Sequence, residues 1–247
     1  MTSRFIWIVI GASMLSFAAG FFVANTLNRR ELSLEQPKSA SLATVQNSNS
    51  KGSTELTLTT VEIQSKIAEA DANPSDFKFQ KNLGMSLYRY AAMKQDSNLL
   101  PEALRIMERA LAIQPADRDL QIGVGNAYFD KGYFNKDNES LAKSRDFYRE
   151  ALVRMPTDTD VRADLALTYF LYEPPDLAMA VTEFEKGLEA NPKHERALQF
   201  LTQTYIKQND AMKAAATLEM LKLANSSNTA IAELSTSLAG ISQGSSK

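Results

Sequence analysis

The sequence contains few of the side chains that usually carry out catalysis or bind metal ions. It has no cysteine, which excludes disulfides, thiolate metal sites and a cysteine nucleophile. His194 is its one histidine, so a metal site built from several histidines is excluded as well. Because His194 lies in the first turn of a predicted helix, we expect a solvated surface side chain.

Two further patterns could suggest chemistry, and both have simpler explanations. Glu183 and Glu185 fall on the predicted surface of a helix, where carboxylates solvate the protein. The Gly123-Val124-Gly125 stretch lies inside a helical pattern and lacks the strand-turn-helix setting of a nucleotide-binding loop. The net charge of −2 gives no indication of nucleic acid binding. We therefore predict a protein that is not an enzyme and needs no cofactor or metal ion.

Four prolines mark a repeated unit in the middle of the 247-residue chain. The prolines are Pro74, Pro115, Pro156 and Pro192, and the gaps between them are 41, 41 and 36 residues. Each of the first three is followed two positions later by an aspartate: Asp76, Asp117 and Asp158. This spacing indicates a short unit that is repeated along the chain.

The units share a pattern of small and large residues at helical spacing. Each predicted first helix has a small or short side chain near its middle: Gly84, Gly125, Ala166 and Thr202. In the first three units the predicted second helix has a small residue, a large one four positions later and a small one three further on, as in Ala103, Met107 and Ala110; the fourth unit departs by placing Leu221 in the last small position. Small residues allow close approach of helices, and large ones fill the space between units, so the units must stack to bury their apolar faces.

This pattern resembles the tetratricopeptide repeat, from about Pro74 to Ser226. The resemblance implies an all-α fold, an α-solenoid of about four helical hairpins with flanking helices. The family's usual period is shorter, and we expect the extra residues to lengthen the turns inside the hairpins, at 93–100, 131–140 and 172–176. Pro175 is expected to start the second helix of the third unit. Before the repeats, Thr59 and Glu62 have capping-box spacing.

The amino-terminal region has the pattern of a membrane anchor. Residues 5–27 carry no charge, and as a helix they would be about 34 Å long, enough to cross a bilayer. A cleavable signal peptide is the alternative, but the apolar run is long for one and no good cleavage site follows it. Ala12, Ser16 and Gly20 are spaced four apart, which would permit a weak homodimer through this helix.

These observations predict four segments. Residues 1–28 are a transmembrane anchor, 29–58 a flexible linker rich in polar residues, 59–241 the solenoid domain and 242–247 a disordered tail. The positive charges on the two sides of the apolar run nearly balance, so they do not fix the orientation. The linker suggests a domain held away from the membrane. We therefore expect a single-pass protein of the inner (cytoplasmic) membrane with a periplasmic or other extracytoplasmic solenoid.

The resemblance also implies a concave groove, lined by the first helix of each unit, that holds a peptide or helix of a partner protein. The family's groove positions fall on Lys81, Met85, Tyr88, Ile122, Asn126, Phe129, Ala163, Leu167, Phe170, Gln199, Gln203 and Ile206. This lining is mostly apolar and amide, and Asn126, Gln199 and Gln203 could bond the backbone of the partner.

The layout resembles membrane-tethered tetratricopeptide-repeat proteins of bacteria that assist assembly of envelope complexes, including cytochrome c maturation. The resemblance thus implies a protein-interaction scaffold. Two alternatives stay open. The chain could be a self-associating membrane protein in which the repeats act as spacers, or it could be the regulatory subunit of an enzyme complex.

Overall fold

The computed structural model of the protein describes residues 59–94 and 96–244, and all regular structure in them is helical. A single turn of 3-10 helix covers Ser97–Leu99. The ten α-helices are α1 (Thr60–Ala72), α2 (Phe77–Lys94), α3 (Leu100–Ile113), α4 (Arg118–Asn135), α5 (Asn138–Arg154), α6 (Thr159–Phe170), α7 (Leu177–Ala190), α8 (Glu195–Lys207), α9 (Ala211–Ala224) and α10 (Ile231–Gly244).

The helices pair into four hairpins, α2–α3, α4–α5, α6–α7 and α8–α9. Each hairpin packs on the next through the contacts α3–α4, α5–α6 and α7–α8. First helices also touch each other at α2–α4 and α6–α8, which places them on the inner side of the curved stack. The predicted all-α solenoid of four hairpins with flanking helices is therefore confirmed.

Close helix approach inside the hairpins depends on glycine. A Cβ atom at Gly84 would lie 2.6 Å from Cγ of Met107, and one at Gly125 would lie 2.9 Å from Cε1 of Tyr148. Both distances are shorter than carbon atoms tolerate, so a larger side chain at either position would push the paired helices apart. The small residues of the first helices thus face the large residues of the second helices, as the repeat pattern predicts.

The aspartates that follow the prolines cap the first helices. The Asp76 carboxylate accepts the N–H of Phe79 at 3.0 Å. Asp117 and Asp158 accept the corresponding N–H groups three residues further on, at 2.9 and 3.0 Å. A side-chain oxygen at this position satisfies a backbone donor that the helix itself cannot bond. The proline and aspartate together therefore mark where each of the first three units begins.

His194 occupies the same capping position in the fourth unit. Its Nδ1 accepts the N–H of Ala197 at 3.2 Å, and its Nε2 lies 2.9 Å from Oδ1 of Asp160. The side chain is only 11% exposed. The expectation of a solvated surface histidine was therefore wrong, because the unprotonated ring nitrogen replaces the carboxylate of the other units.

Replacing His194 tests this capping role. We expect His194→Ala to lower the free energy of unfolding by about 1 kcal/mol, because the N–H of Ala197 loses its acceptor. His194→Asn should retain most of the stability, since asparagine is a good N-cap. Urea denaturation measures both variants, and equal losses for alanine and asparagine would contradict the capping role.

The second unit accommodates its extra residues in longer helices. Helix α4 continues to Asn135 and α5 begins at Asn138, so the predicted long turn over 131–140 was wrong. Lys136, between them, has a left-handed backbone with φ of 51°. In the third unit the extra residues do form a loop, and α7 begins at Leu177 rather than near Pro175 because Asp176 caps it.

The two flanking helices close the ends of the stack. Helix α1 has the predicted capping box, in which Thr59 and Glu62 bond each other's backbone N–H. The carboxylate of Asp71 joins α1 to α3, because it bonds Arg105 and Arg109 at 2.6 and 2.8 Å. These bonds lower the pKa of Asp71 to about 2.

Helix α10 continues to Gly244, past the predicted domain end at residue 241. None of the helices in the described residues is both long and apolar enough to span a bilayer. The predicted span 5–27, its small-residue stripe at Ala12, Ser16 and Gly20, and the linker 29–58 lie outside those residues.

Candidate protein-binding face

The structure divides the twelve predicted groove residues into two sets of six. The buried set has side chains that are at most 8% exposed and comprises Tyr88, Asn126, Phe129, Ala163, Leu167 and Phe170. The half-exposed set comprises Lys81, Met85, Ile122, Gln199, Gln203 and Ile206. Only the half-exposed set can meet a partner without rearrangement of the solenoid, and its binding role stays a prediction.

Hydrogen bonds inside the solenoid use the polar members of the buried set. The hydroxyl of Tyr88 donates to Asp130 at 2.6 Å, and the hydroxyl of Tyr148 donates to the side-chain oxygen of Asn126 at 2.8 Å. Asn126 therefore joins α4 to α5, and its oxygen is not available to the backbone of a partner.

Helix α4 is buried on nearly every side, and this position explains the burial of Asn126 and Phe129. Two apolar clusters meet within it: one extends from α1 to Tyr128, and the other begins at Phe129 and reaches α10. The inner surface of the second and third units is thus filled by the protein's own side chains.

Contacts between neighbouring units also engage the half-exposed residues of the first unit. The ammonium of Lys81 lies 2.6 Å from the Asp117 carboxylate and is 25% exposed. The sulfur of Met85 packs against Gly123, where a Cβ atom would be only 2.4 Å away. Lys81 and Met85 therefore hold α2 against α4, and only part of each side chain faces solvent.

The inner face of the fourth unit has a different character. Gln199, Gln203 and Ile206 lie four and three positions apart on α8, so they form one stripe along the helix. All three are half-exposed. No hydrogen bond within the described residues uses the side-chain amides of Gln199 and Gln203. We call these three residues the α8 stripe; it combines two unused amides with an apolar side chain.

One ion pair fixes α8 beside α6 and so holds the α8 stripe in place, and a second joins α6 to α7. The guanidinium of Arg196 lies 2.9 Å from the buried carboxylate of Asp164. Arg162 pairs with Glu183 at 2.7 Å, and Glu183 is only 7% exposed. The prediction that Glu183 solvates the surface was therefore wrong, because Arg162 and Lys186 surround its carboxylate.

A recurring tyrosine joins successive units. The tyrosines are Tyr128, Tyr169 and Tyr205, and each bonds a charged side chain twenty residues earlier, on the second helix of the preceding unit. The partners are Glu108, Arg149 and Glu185. Glu185 therefore has a specific hydrogen-bond partner as well as a surface position. Burial raises the pKa of Tyr205, and the bond to Glu185 raises it further. The recurrence of tyrosine in the repeat was visible in the sequence, whereas its partners were not.

No group of three or more His, Asp or Glu side chains among residues 59–94 and 96–244 could hold a metal ion. The arrangement on the inner face is suited to contact with another protein.

Comparison with protein families agrees with this geometry. The tetratricopeptide repeat family model matches residues 171–238, which include the whole α8 stripe. The chain carries tetratricopeptide repeats. This identification confirms the resemblance seen in the sequence, and such repeats are typical of protein-interaction scaffolds.

Solved tetratricopeptide-repeat structures resemble the fold at low sequence identity. PilW, a widely conserved type IV pilus biogenesis factor, is 17% identical with a TM-score of 0.55, over 74% of this chain and 76% of that chain. MamA from Desulfovibrio magneticus is 15% identical with a TM-score of 0.53, over 68% and 87%. A thermophilic repeat protein of Thermus thermophilus is 14% identical with a TM-score of 0.51, over 72% and 89%. No curated protein sequence matches the chain.

Proposed function

We propose that this protein is a scaffold that holds a peptide or helix of a partner protein against the α8 stripe. The observation that carries the proposal is the pair of half-exposed amides, Gln199 and Gln203, which form no hydrogen bond within the described residues. A side-chain amide can both donate to and accept from a peptide backbone, and Ile206 next to them offers apolar contact. The tetratricopeptide-repeat fold supports this role.

We propose further that the scaffold is anchored in the inner (cytoplasmic) membrane by residues 5–27, with the repeats on the extracytoplasmic side. The uncharged run and the polar linker support the anchor. The envelope location suggests a role in assembly of an envelope complex, for which cytochrome c maturation is one candidate. The name of the structural neighbour PilW, a pilus biogenesis factor, is compatible with an assembly role.

Substitution on the α8 stripe tests the scaffold proposal. We expect Gln203→Arg to reduce crosslinking to the partner in native membranes by about tenfold, because a bulky charge blocks the central amide. Gln64→Arg is the matched control, since Gln64 is exposed on α1, far along the chain from the stripe. Mass spectrometry of the crosslinked products measures both. Equal crosslinking by Gln203→Arg and by the unmodified chain would contradict the proposal.

Self-association through the amino-terminal helix is the second candidate, favoured by the spacing of Ala12, Ser16 and Gly20. Gly20→Ile separates the two functions. A self-associating protein would lose its oligomer in detergent, whereas a scaffold would keep its partner. The size of the complex in detergent, measured by light scattering, distinguishes these results.

A further inference from the structure

The cation Arg145 lies over two aromatic rings at the junction of the second and third units. Its guanidinium carbon is 4.6 Å from the ring centroid of Tyr169 and 4.7 Å from that of Tyr172. Tyr169 belongs to α6, and Tyr172 belongs to the loop that follows it. Two such contacts hold the guanidinium in place while leaving its charge intact.

Arg145 has no ion-pair partner on its own helix. The pairs there are Lys143 with Glu139 at 2.9 Å and Arg149 with Asp146 at 3.3 Å. No carboxylate elsewhere in the described part of the chain pairs with Arg145. One positive charge in this cluster is therefore unmatched, although it is held in a fixed position.

Other contacts hold the aromatic rings in place. The side-chain amide of Asn138 donates to the backbone oxygen of Glu173 at 2.8 Å, and its oxygen accepts the N–H of Glu173 at 3.1 Å. This reciprocal pair fixes the residue next to Tyr172. On the other side, Arg149 bonds the hydroxyl of Tyr169. The two rings are thus positioned independently of any ligand.

We infer that Arg145, Tyr169 and Tyr172 form a second protein-binding site, which receives a glutamate or aspartate side chain from an acidic segment of a partner. No acceptor among the described residues bonds the N–H groups of Arg145, and the planar fork of a guanidinium matches a planar carboxylate. A single carboxylate also balances the single unmatched charge. The site shares no residue with the α8 stripe, so each proposal can fail without the other.

Peptide binding to the full chain tests the inference. The probe is a fluorescein-labelled peptide in which glutamates alternate with serines, and the reference peptide has glutamine in place of every glutamate. Fluorescence anisotropy should show binding of the glutamate peptide only. R145Q should weaken that binding about tenfold, because a charged hydrogen bond is lost. R145K should weaken it similarly, since lysine keeps the charge and the ring contacts but not the planar fork.

The control variant is R154Q, because Arg154 is an exposed arginine near the end of the same helix. It should change the affinity by no more than about twofold. Equal effects of R145Q and R154Q would overturn the inference and indicate general charge attraction. Undiminished binding by R145K and R145Q, with a lowered melting temperature, would assign Arg145 a structural role only. Tighter binding of a phosphoserine version of the peptide, lost in R145Q, would assign the site to phosphate instead.

Discussion

Gly132→Ala should lower the free energy of unfolding by about 1–3 kcal/mol. Gly132 lies in α4, where an added Cβ atom would be 2.8 Å from Cγ of Leu141 and 2.9 Å from the backbone nitrogen of the same residue. A backbone atom cannot rotate away as a side chain can, so α4 and α5 would have to separate. This cost outweighs the gain of about 1 kcal/mol that alanine normally brings to a helix.

Gly240→Ala is the matched control for this substitution. Gly240 lies within α10, and an added Cβ atom would meet nothing within 4 Å. Its replacement should therefore raise the free energy of unfolding by up to about 1 kcal/mol. Urea denaturation of the full chain measures both variants. Changes of the same sign at the two positions would contradict the close packing of α4 against α5.

Tyr148→Phe should lower the free energy of unfolding by about 1–3 kcal/mol, because the buried oxygen of Asn126 loses its donor. Tyr148 is fully buried, and Asn126 is 5% exposed, so water cannot replace the hydroxyl. The same substitution would be harmless if Asn126 faced an open groove, as the sequence pattern had implied.

Tyr128→Phe is the control for the effect of burial. The hydroxyl of Tyr128 bonds Glu108 at 2.5 Å, and Glu108 is exposed. Water can donate a hydrogen bond to that carboxylate in place of the hydroxyl, so we expect the free energy of unfolding to fall by only about 0.5–1 kcal/mol. A loss as large as that of Tyr148→Phe would show that burial does not set the cost, and thermal denaturation of the two variants decides.

The repeat pattern was sufficient to predict the helices and their pairing. Gly84 and Gly125 do face Met107 and Tyr148, because helix-helix contact requires a small residue opposite a large one. The long turn of the second unit was mispredicted because no proline stands between Lys131 and Asn135, and Gly132 stays inside α4, where it packs against Leu141.

A polar side chain that accepts a backbone N–H stands at all five borders and could have been recognised in the sequence. The residues there are Asp76, Asp117, Asp158, His194 and Asn228. Asn228 accepts the N–H of Ala230 at 3.0 Å, just before α10 begins. His194 escaped notice because a lone histidine is not an obvious substitute for aspartate, although its ring nitrogen is an acceptor.

The candidate site was less predictable than the fold. Family positions placed Phe129 and Leu167 on the inner face, but the distance between neighbouring units decides whether an inner residue is accessible. That distance depends on contacts such as Met85 against Gly123, which join residues far apart in sequence. Arg145 was missed because its two ring partners lie 24 and 27 positions away, outside the repeat pattern.

The central claim is that the α8 stripe contacts a partner protein, and photo-crosslinking from Gln203 tests it most directly. A photoreactive amino acid at Gln203 should yield one adduct of defined mass in native membranes. The same amino acid at Glu219, an exposed position on α9, is the control. We predict an adduct from position 203 that is absent from position 219. Equal labelling at both positions, or no adduct from position 203, would contradict the claim.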